Sequence, residues 1–171
     1  MLGVKLEDNS KQLETLITKI NDIGGPFVAR VNESKGYGLF ADKDYDEHEV
    51  ITVYGGRRHT EYPANSDGRF LLKVLADKDN TWHIDGAFDF LPHEKGRWIN
   101  HASDNDKEID LDASDSIDSD GPNAAFQIAN GTLTGRLSDL VMEVVAIERI
   151  RRGDEITVDY GDQYDSSLLS E

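Results

Sequence analysis

The sequence predicts a mainly β domain made of several small curled sheets with one N-terminal helix. Three observations carry that prediction. Apolar residues recur at helical spacing only near the N-terminus, short β-type runs follow one another after Pro26, and turn residues fall between those runs. With 171 residues the chain is long enough for one domain with its own core and too short for two ordinary ones.

The helix is expected within residues 1–25, packed on the domain. Leu13, Leu16, Ile17, Ile20 and Ile23 repeat at helical spacing from Asn9 to Ile23, Asn9 is placed to cap with Gln12 three residues on, and Gly24-Gly25-Pro26 ends the pattern. The β runs are Phe27–Val31, Val50–Tyr54, Phe70–Leu75, Thr81–Ile84, Ala125–Ile128, Leu140–Ile147 and Glu155–Val158. Asp67-Gly68, Asn130-Gly131 and Arg152-Gly153-Asp154 supply turns between them. Helical periodicity is weak throughout this stretch, which argues against a doubly wound fold.

One segment differs from the rest. Ser103–Gly121 carries Asp104, Asp106, Glu108, Asp110, Asp112, Asp115, Asp118 and Asp120 with few apolar residues. That composition does not bury enough surface to order a chain, so a solvated acidic loop is the expectation, with capture of a basic substrate as the alternative. The Asp-x-Asp spacing lacks the glycine and terminal glutamate of a calcium loop.

Charge narrows the partners. The 34 acidic residues against 18 basic ones give a formal net charge of -16, which disfavours direct contact with nucleic acid or an anionic membrane and suits a basic protein partner. The absence of cysteine excludes disulfides, thiolate zinc sites and a cysteine nucleophile. His48, His59, His83, His93 and His101 show no paired metal-ligand spacing, so no metal is expected. Without an apolar signal core or a run near the roughly 18 residues of a membrane span, the expectation is a soluble intracellular protein, nuclear if eukaryotic.

Four separated segments carry the chemistry. The first is Lys35-Gly36-Tyr37-Gly38-Leu39-Phe40-Ala41, where Gly-x-Gly lets backbone approach a ligand that a Cβ would exclude. The second is Val53-Tyr54-Gly55-Gly56 at a strand end. The third is Arg97-Trp98-Ile99-Asn100-His101-Ala102-Ser103, continued after the acidic segment by Pro122-Asn123-Ala124-Ala125-Phe126. The fourth runs from Gly153-Asp154-Glu155-Ile156-Thr157-Val158-Asp159-Tyr160 to Tyr164. Taken singly, each has a plainer reading: a glycine turn, core tyrosines, or an Asn-His pair satisfying buried backbone groups.

Taken together and in this order, they resemble the signatures of the SET-domain protein-lysine methyltransferases. The third segment is similar to the family's Arg-Phe-Ile-Asn-His-Ser-Cys-x-Pro-Asn run with two changes and an insertion, and the fourth to Gly-Glu-Glu-Leu-Thr-x-Asp-Tyr-Gly. The resemblance implies a SET-type fold over residues 26–164, with an acidic insertion at 103–121, a pseudoknot-like threading of the C-terminal segment, and a tail at 165–171. It implies S-adenosylmethionine as cofactor, held by Lys35, Gly36, Tyr37, Gly38, Trp98, Asn100, His101, Tyr160 and Tyr164, with Tyr164 best placed to stack on adenine. It implies Tyr160, Tyr54, Phe126 and Val158 around the lysine channel. The implied reaction moves a methyl group to a lysine ε-amine of a basic protein, foremost a histone tail, as in histone lysine methylation and chromatin regulation. A catalytically weak SET-like protein-binding module is the alternative.

One departure qualifies this, and one match extends it. The family's flanking zinc-binding cysteines are missing, so substrate contacts must come from elsewhere, the N-terminal helix and the tail being available. Phe126 and Val158 stand where a tyrosine hydroxyl would restrict methyl addition, which implies di- or trimethylation.

Overall fold

A computed structural model describes residues 6–33, 35–64, 66, 68, 70–75, 81–87, 91–102, 121–129 and 136–160. Most of the acidic segment, the C-terminal tail and Tyr164 lie outside them. Helix α1 spans Leu6–Asn21 and is followed by ten strands: β1 (Phe27–Asn32), β2 (Gly36–Phe40), β3 (Val50–Val53), β4 (Arg57–His59), β5 (Leu71–Leu75), β6 (Thr81–Asp85), β7 (Asn100–His101), β8 (Ala124–Ile128), β9 (Met142–Ala146) and β10 (Glu155–Val158). Short 3-10 helices at Lys95–Trp98 and Leu137–Asp139 complete the described elements. The mainly β expectation holds, with small sheets and one N-terminal helix.

The helix begins earlier than its capping signal suggested. Asn9 lies inside α1 and is not its cap, and Ile23 lies beyond the helix, 52% exposed. Ile17 and Ile20 are buried and Leu13 is partly buried against the core, each buried isoleucine contributing on the order of 2 kcal/mol. Asn21 joins the helix to the sheet by imitating a strand residue. Its Oδ1 accepts the Val28 N–H at 2.8 Å and its Nδ2 donates to the Val28 carbonyl at 2.9 Å.

The larger sheet runs β1-β2-β10-β8-β9-β3, with β7 also pairing β10. β1 and β2 form a hairpin in which Phe27 stacks on Phe40. β10 enters antiparallel to β2 through Glu155 and Ile156, then pairs in parallel with β7 and β8. Val158 is opposite both His101 and Ala124, so β10 passes between chain segments on either side. A smaller sheet, β4-β6-β5, stands beside the larger one.

Two apolar clusters follow from this arrangement. The larger contains Val28, Leu39, Ile51, Ile99, Val144, Ile156 and Val158. The second contains Tyr54, Val74, Ile84, Leu140 and Met142, and Phe126 packs against both. Lys95 is an unexpected interior residue at 2% exposure. Its Nζ donates to the carbonyls of Gly24 at 2.7 Å and Pro26 at 2.6 Å, tying the helix-to-β1 turn to the 3-10 helix; burial holds its pKa below the ordinary lysine value, opposed by nearby Asp42.

Candidate active site

Strand pairing gathers three of the four segments. Gly36-Tyr37-Gly38 lies on β2, Asn100-His101 forms β7, and β10 touches both. At Gly38 the backbone is approached so closely that an added Cβ would lie 2.6 Å from Glu155 Oε1, 2.7 Å from Val31 Cγ2 and 2.9 Å from Asn100 Nδ2. Glycine is needed here for space. Lys35 sits in the preceding turn, its N–H donating to Asn32 Oδ1 at 2.7 Å.

Asn100 is fixed by its neighbours. Its Nδ2 donates to Glu155 Oε1 at 2.6 Å and to the Tyr37 carbonyl at 3.3 Å. His101 Nδ1 accepts the Tyr160 backbone N–H at 3.1 Å, and the His101 ring stacks on Tyr160 with centroids 5.3 Å apart. An Nδ1 that accepts carries no proton, so neutral His101 holds its proton on Nε2. Asp159 Oδ1 lies 3.8 Å from the same Nδ1, too far for a hydrogen bond, and the backbone contact governs the ring. The Tyr160 hydroxyl donates to the Ile99 carbonyl.

Asn123, just after Pro122, holds β10 from the other side. Its Nδ2 donates to the Glu155 carbonyl at 2.8 Å and its Oδ1 accepts the Thr157 N–H at 2.9 Å. The two halves of the third segment therefore both reach β10, although the acidic run separates them in sequence.

The second segment joins through aromatic packing. Tyr54 is buried, donates its hydroxyl to the Phe70 carbonyl at 2.7 Å, and meets Phe126 edge-on at 5.5 Å. Gly96 lets the 3-10 helix lie against it, since a Cβ there would come within 2.8 Å of Tyr54 Cα. Val158 is fully buried, within the same core as Phe126 and Tyr160.

Arg97 and Trp98 bridge the two sheets. The Arg97 guanidinium lies 4.3 Å from the Phe70 ring centroid and 5.2 Å from that of Trp98, and burial lowers its pKa against the opposing pull of Tyr54 and Asp85. Trp98 meets Tyr37 edge-on at 6.3 Å, and its buried Nε1–H finds no acceptor among the described residues. Of the residues expected at a cofactor site, Gly38, Tyr37, Trp98, Asn100, His101 and Tyr160 are thus brought together. Glu155 and Asn123 were not singled out from sequence; their spacing within motifs was visible, but their partners lie on distant segments.

Comparison with known proteins accords with this geometry. A family model described as SET domain matches residues 36–161, most of the chain. The fold is similar to CpSET8 from Cryptosporidium, with a TM-score of 0.57, 16% identity, and coverage of 96% of this chain and 70% of that one. It is similar to ATXR5 in complex with a mono-methylated histone H3.1, at TM-score 0.56, 17% identity, 97% and 71% coverage. KRYPTONITE in complex with mCHG DNA and SAH gives TM-score 0.58 and 18% identity over 82% of this chain, which spans only 24% of that one. A search of curated sequences finds no significant relative. At these identities the solved structures establish a shared fold, and the family model carries the assignment: the chain belongs to the SET-domain family.

Proposed function

We propose that this domain is a protein-lysine methyltransferase using S-adenosylmethionine, with a basic protein segment, foremost a histone tail, as substrate. The observation that carries the reading is the convergence of Gly38, Asn100, His101 and Tyr160 around β10. Two features suit the cofactor in particular. Glycine at 38 lets the Asn100 and Glu155 side chains close in on β2, and the buried Trp98 N–H finds no acceptor among the described residues. Lys35, Gly36, Tyr37, Gly38, Trp98, Asn100, His101 and Tyr160 would hold it, and Tyr164 would cover adenine. Bound there, it supplies a methyl group on a sulfonium for in-line transfer to a lysine amine.

The chain's own residues supply positioning. The Tyr160 hydroxyl spends its proton on Ile99, leaving lone pairs that can accept an N–H from the incoming amine. Partly buried Phe126, backed by Tyr54 and the core residue Val158, would provide apolar surface for the lysine stem and exclude water. The net charge of -16 attracts basic peptides, an effect that salt would weaken. Neither Phe126 nor Val158 carries a hydroxyl to anchor a water beside the amine, which supports di- or trimethylation.

Thermal-shift measurement with S-adenosylmethionine, followed by labelled-methyl transfer to histones and a basic peptide array, tests the reading. Stabilisation by the cofactor together with lysine-borne label is expected. Binding without transfer would favour the protein-binding module, neither signal would defeat the proposal, and a strictly monomethylated product by intact mass would defeat the methyl-number assignment.

A further inference from the structure

The 3-10 helix at Lys95–Trp98 is fastened from three directions. The Lys95 backbone N–H donates to Thr52 Oγ1 at 3.1 Å, and that hydroxyl donates to the His93 carbonyl at 3.2 Å, which binds the segment to β3. Gly96 lies flat against Tyr54, where an added Cβ would stand 2.8 Å from Cα and 3.0 Å from the tyrosine Cβ. The third fastening is the Lys95 side chain, whose Nζ reaches the turn between α1 and β1 and gives protons to the carbonyls of Gly24 and Pro26. Gly24 and Gly25 hold that turn at φ of 84° and 75°, a shape that favours glycine. An ammonium has donors and no acceptor, and no carboxylate forms an ion pair with Lys95 among the described residues. At 2% exposure it has no water to turn to, so the two carbonyls are what keep it in place.

Resting on the methyltransferase reading above, we infer that Lys95 is a positioning residue for methyl transfer: it carries the docking of helix α1 into the placement of Tyr54, and so makes turnover depend on the helix. Tyr54 backs Phe126, meeting it edge-on at 5.5 Å, and a shift of the Gly96 backbone has no space to be absorbed before it reaches that ring. The helix has a second attachment, through Asn21 to the Val28 N–H and carbonyl, which joins it to β1. α1 is thus held by two pairs of hydrogen bonds, one ending in the β1–β2 hairpin and the other in the segment that packs on Tyr54.

The experiment compares Lys95→Met with Asn21→Ala in the whole chain. Methionine keeps an unbranched apolar stem and removes the donors; alanine removes the other attachment of the same helix. Both variants are expected to melt earlier, since each deletes a pair of hydrogen bonds. Methyl transfer to histones under saturating S-adenosylmethionine, measured well below either Tm, then separates them. Lys95→Met should lose about tenfold in kcat per folded molecule, the scale of a small misplacement near the chemistry, while Asn21→Ala stays within about twofold. S-adenosylmethionine affinity by calorimetry should match the parent in both. Parent-like kcat in Lys95→Met overturns the inference, and so does an equal loss in both variants, which would mark a general loosening. Weakened cofactor binding in Lys95→Met overturns the route through Tyr54. If Lys95→Met does not fold, Lys95→Gln, which keeps one donating group, takes its place with the same outcomes. A parent chain that transfers no methyl group defeats the methyltransferase reading itself, a result distinct from all of these.

Discussion

Around β10 and in the three-stranded sheet, polar side chains are treated differently. Asn100, Asn123, Glu155 and Thr157 meet one another or backbone groups across segments distant in sequence. In the β4-β6-β5 sheet, His59 and His83 face each other as a cross-strand pair, yet His59 Nε2 and His83 Nδ1 are buried and find no hydrogen-bond partner among the described residues. Arg58 Nε on β4 does donate to the Leu140 carbonyl at 2.9 Å, but the face of that sheet is held mainly by Ile84, Val74, Leu72 and Trp82 in the second apolar cluster. Directional bonds fix geometry more narrowly than apolar contact. The contrast suggests that precision is concentrated where the family segments meet.

The sharpest way to exploit that contrast is Tyr160→Phe. Losing a single positioned hydroxyl should lower methyl transfer by about a hundredfold or more, with cofactor affinity changed little because the ring and its stacking on His101 remain. Unchanged turnover in a single-turnover assay would remove Tyr160 from catalysis. Next in size is Asn123→Ala, which strips partners from the Thr157 N–H and the Glu155 carbonyl. Equilibrium urea unfolding should show a loss of about 3 kcal/mol, and a loss under about 1 kcal/mol would contradict the role given to this side chain.

Acid titration probes the other region. Burial lowers the His83 pKa, and nearby Lys73 and His59 add to the effect. The unfolded chain therefore takes up a proton below its ordinary value of 6.5 more readily than the folded one, so stability from this group falls as pH drops from that value toward the depressed pKa. The smallest expected change follows: His83→Leu at neutral pH should shift stability by about 1 kcal/mol at most, because it removes a buried ring with an unmet hydrogen-bonding atom. The variant should also flatten that acid limb relative to the parent. A loss of several kcal/mol would show that the sheet depends on the imidazole after all.

The β runs were legible because Val, Ile and Phe cluster in them, and observed strands differ mostly at their ends: Leu140–Ile147 narrows to Met142–Ala146, while Glu155–Val158 is unchanged. Gly36–Phe40 was read as a glycine motif and is also a strand, since pairing with β1 and β10 outweighs the weak strand preference of glycine. Arg57–His59 is not among the β runs legible in the sequence and is β4, because β6 supplies a partner invisible locally. At the site, Asn100, His101 and Tyr160 stood out through their motif. Lys95 did not, since a lysine is expected at the surface and only the fold reveals the two carbonyls that accept from it.

The passage of β10 between its neighbours also sets an order of assembly. The contacts that align Asn100 and His101 come from residues 55 and 59 positions later in the chain, so a growing polypeptide carries both residues long before their partners are synthesised. Until β10 docks, the Gly38 cradle lacks its acidic wall and His101 lacks its anchor. Competence to bind cofactor should consequently appear as a late step in folding, coincident with strand insertion rather than with formation of the β1–β2 hairpin.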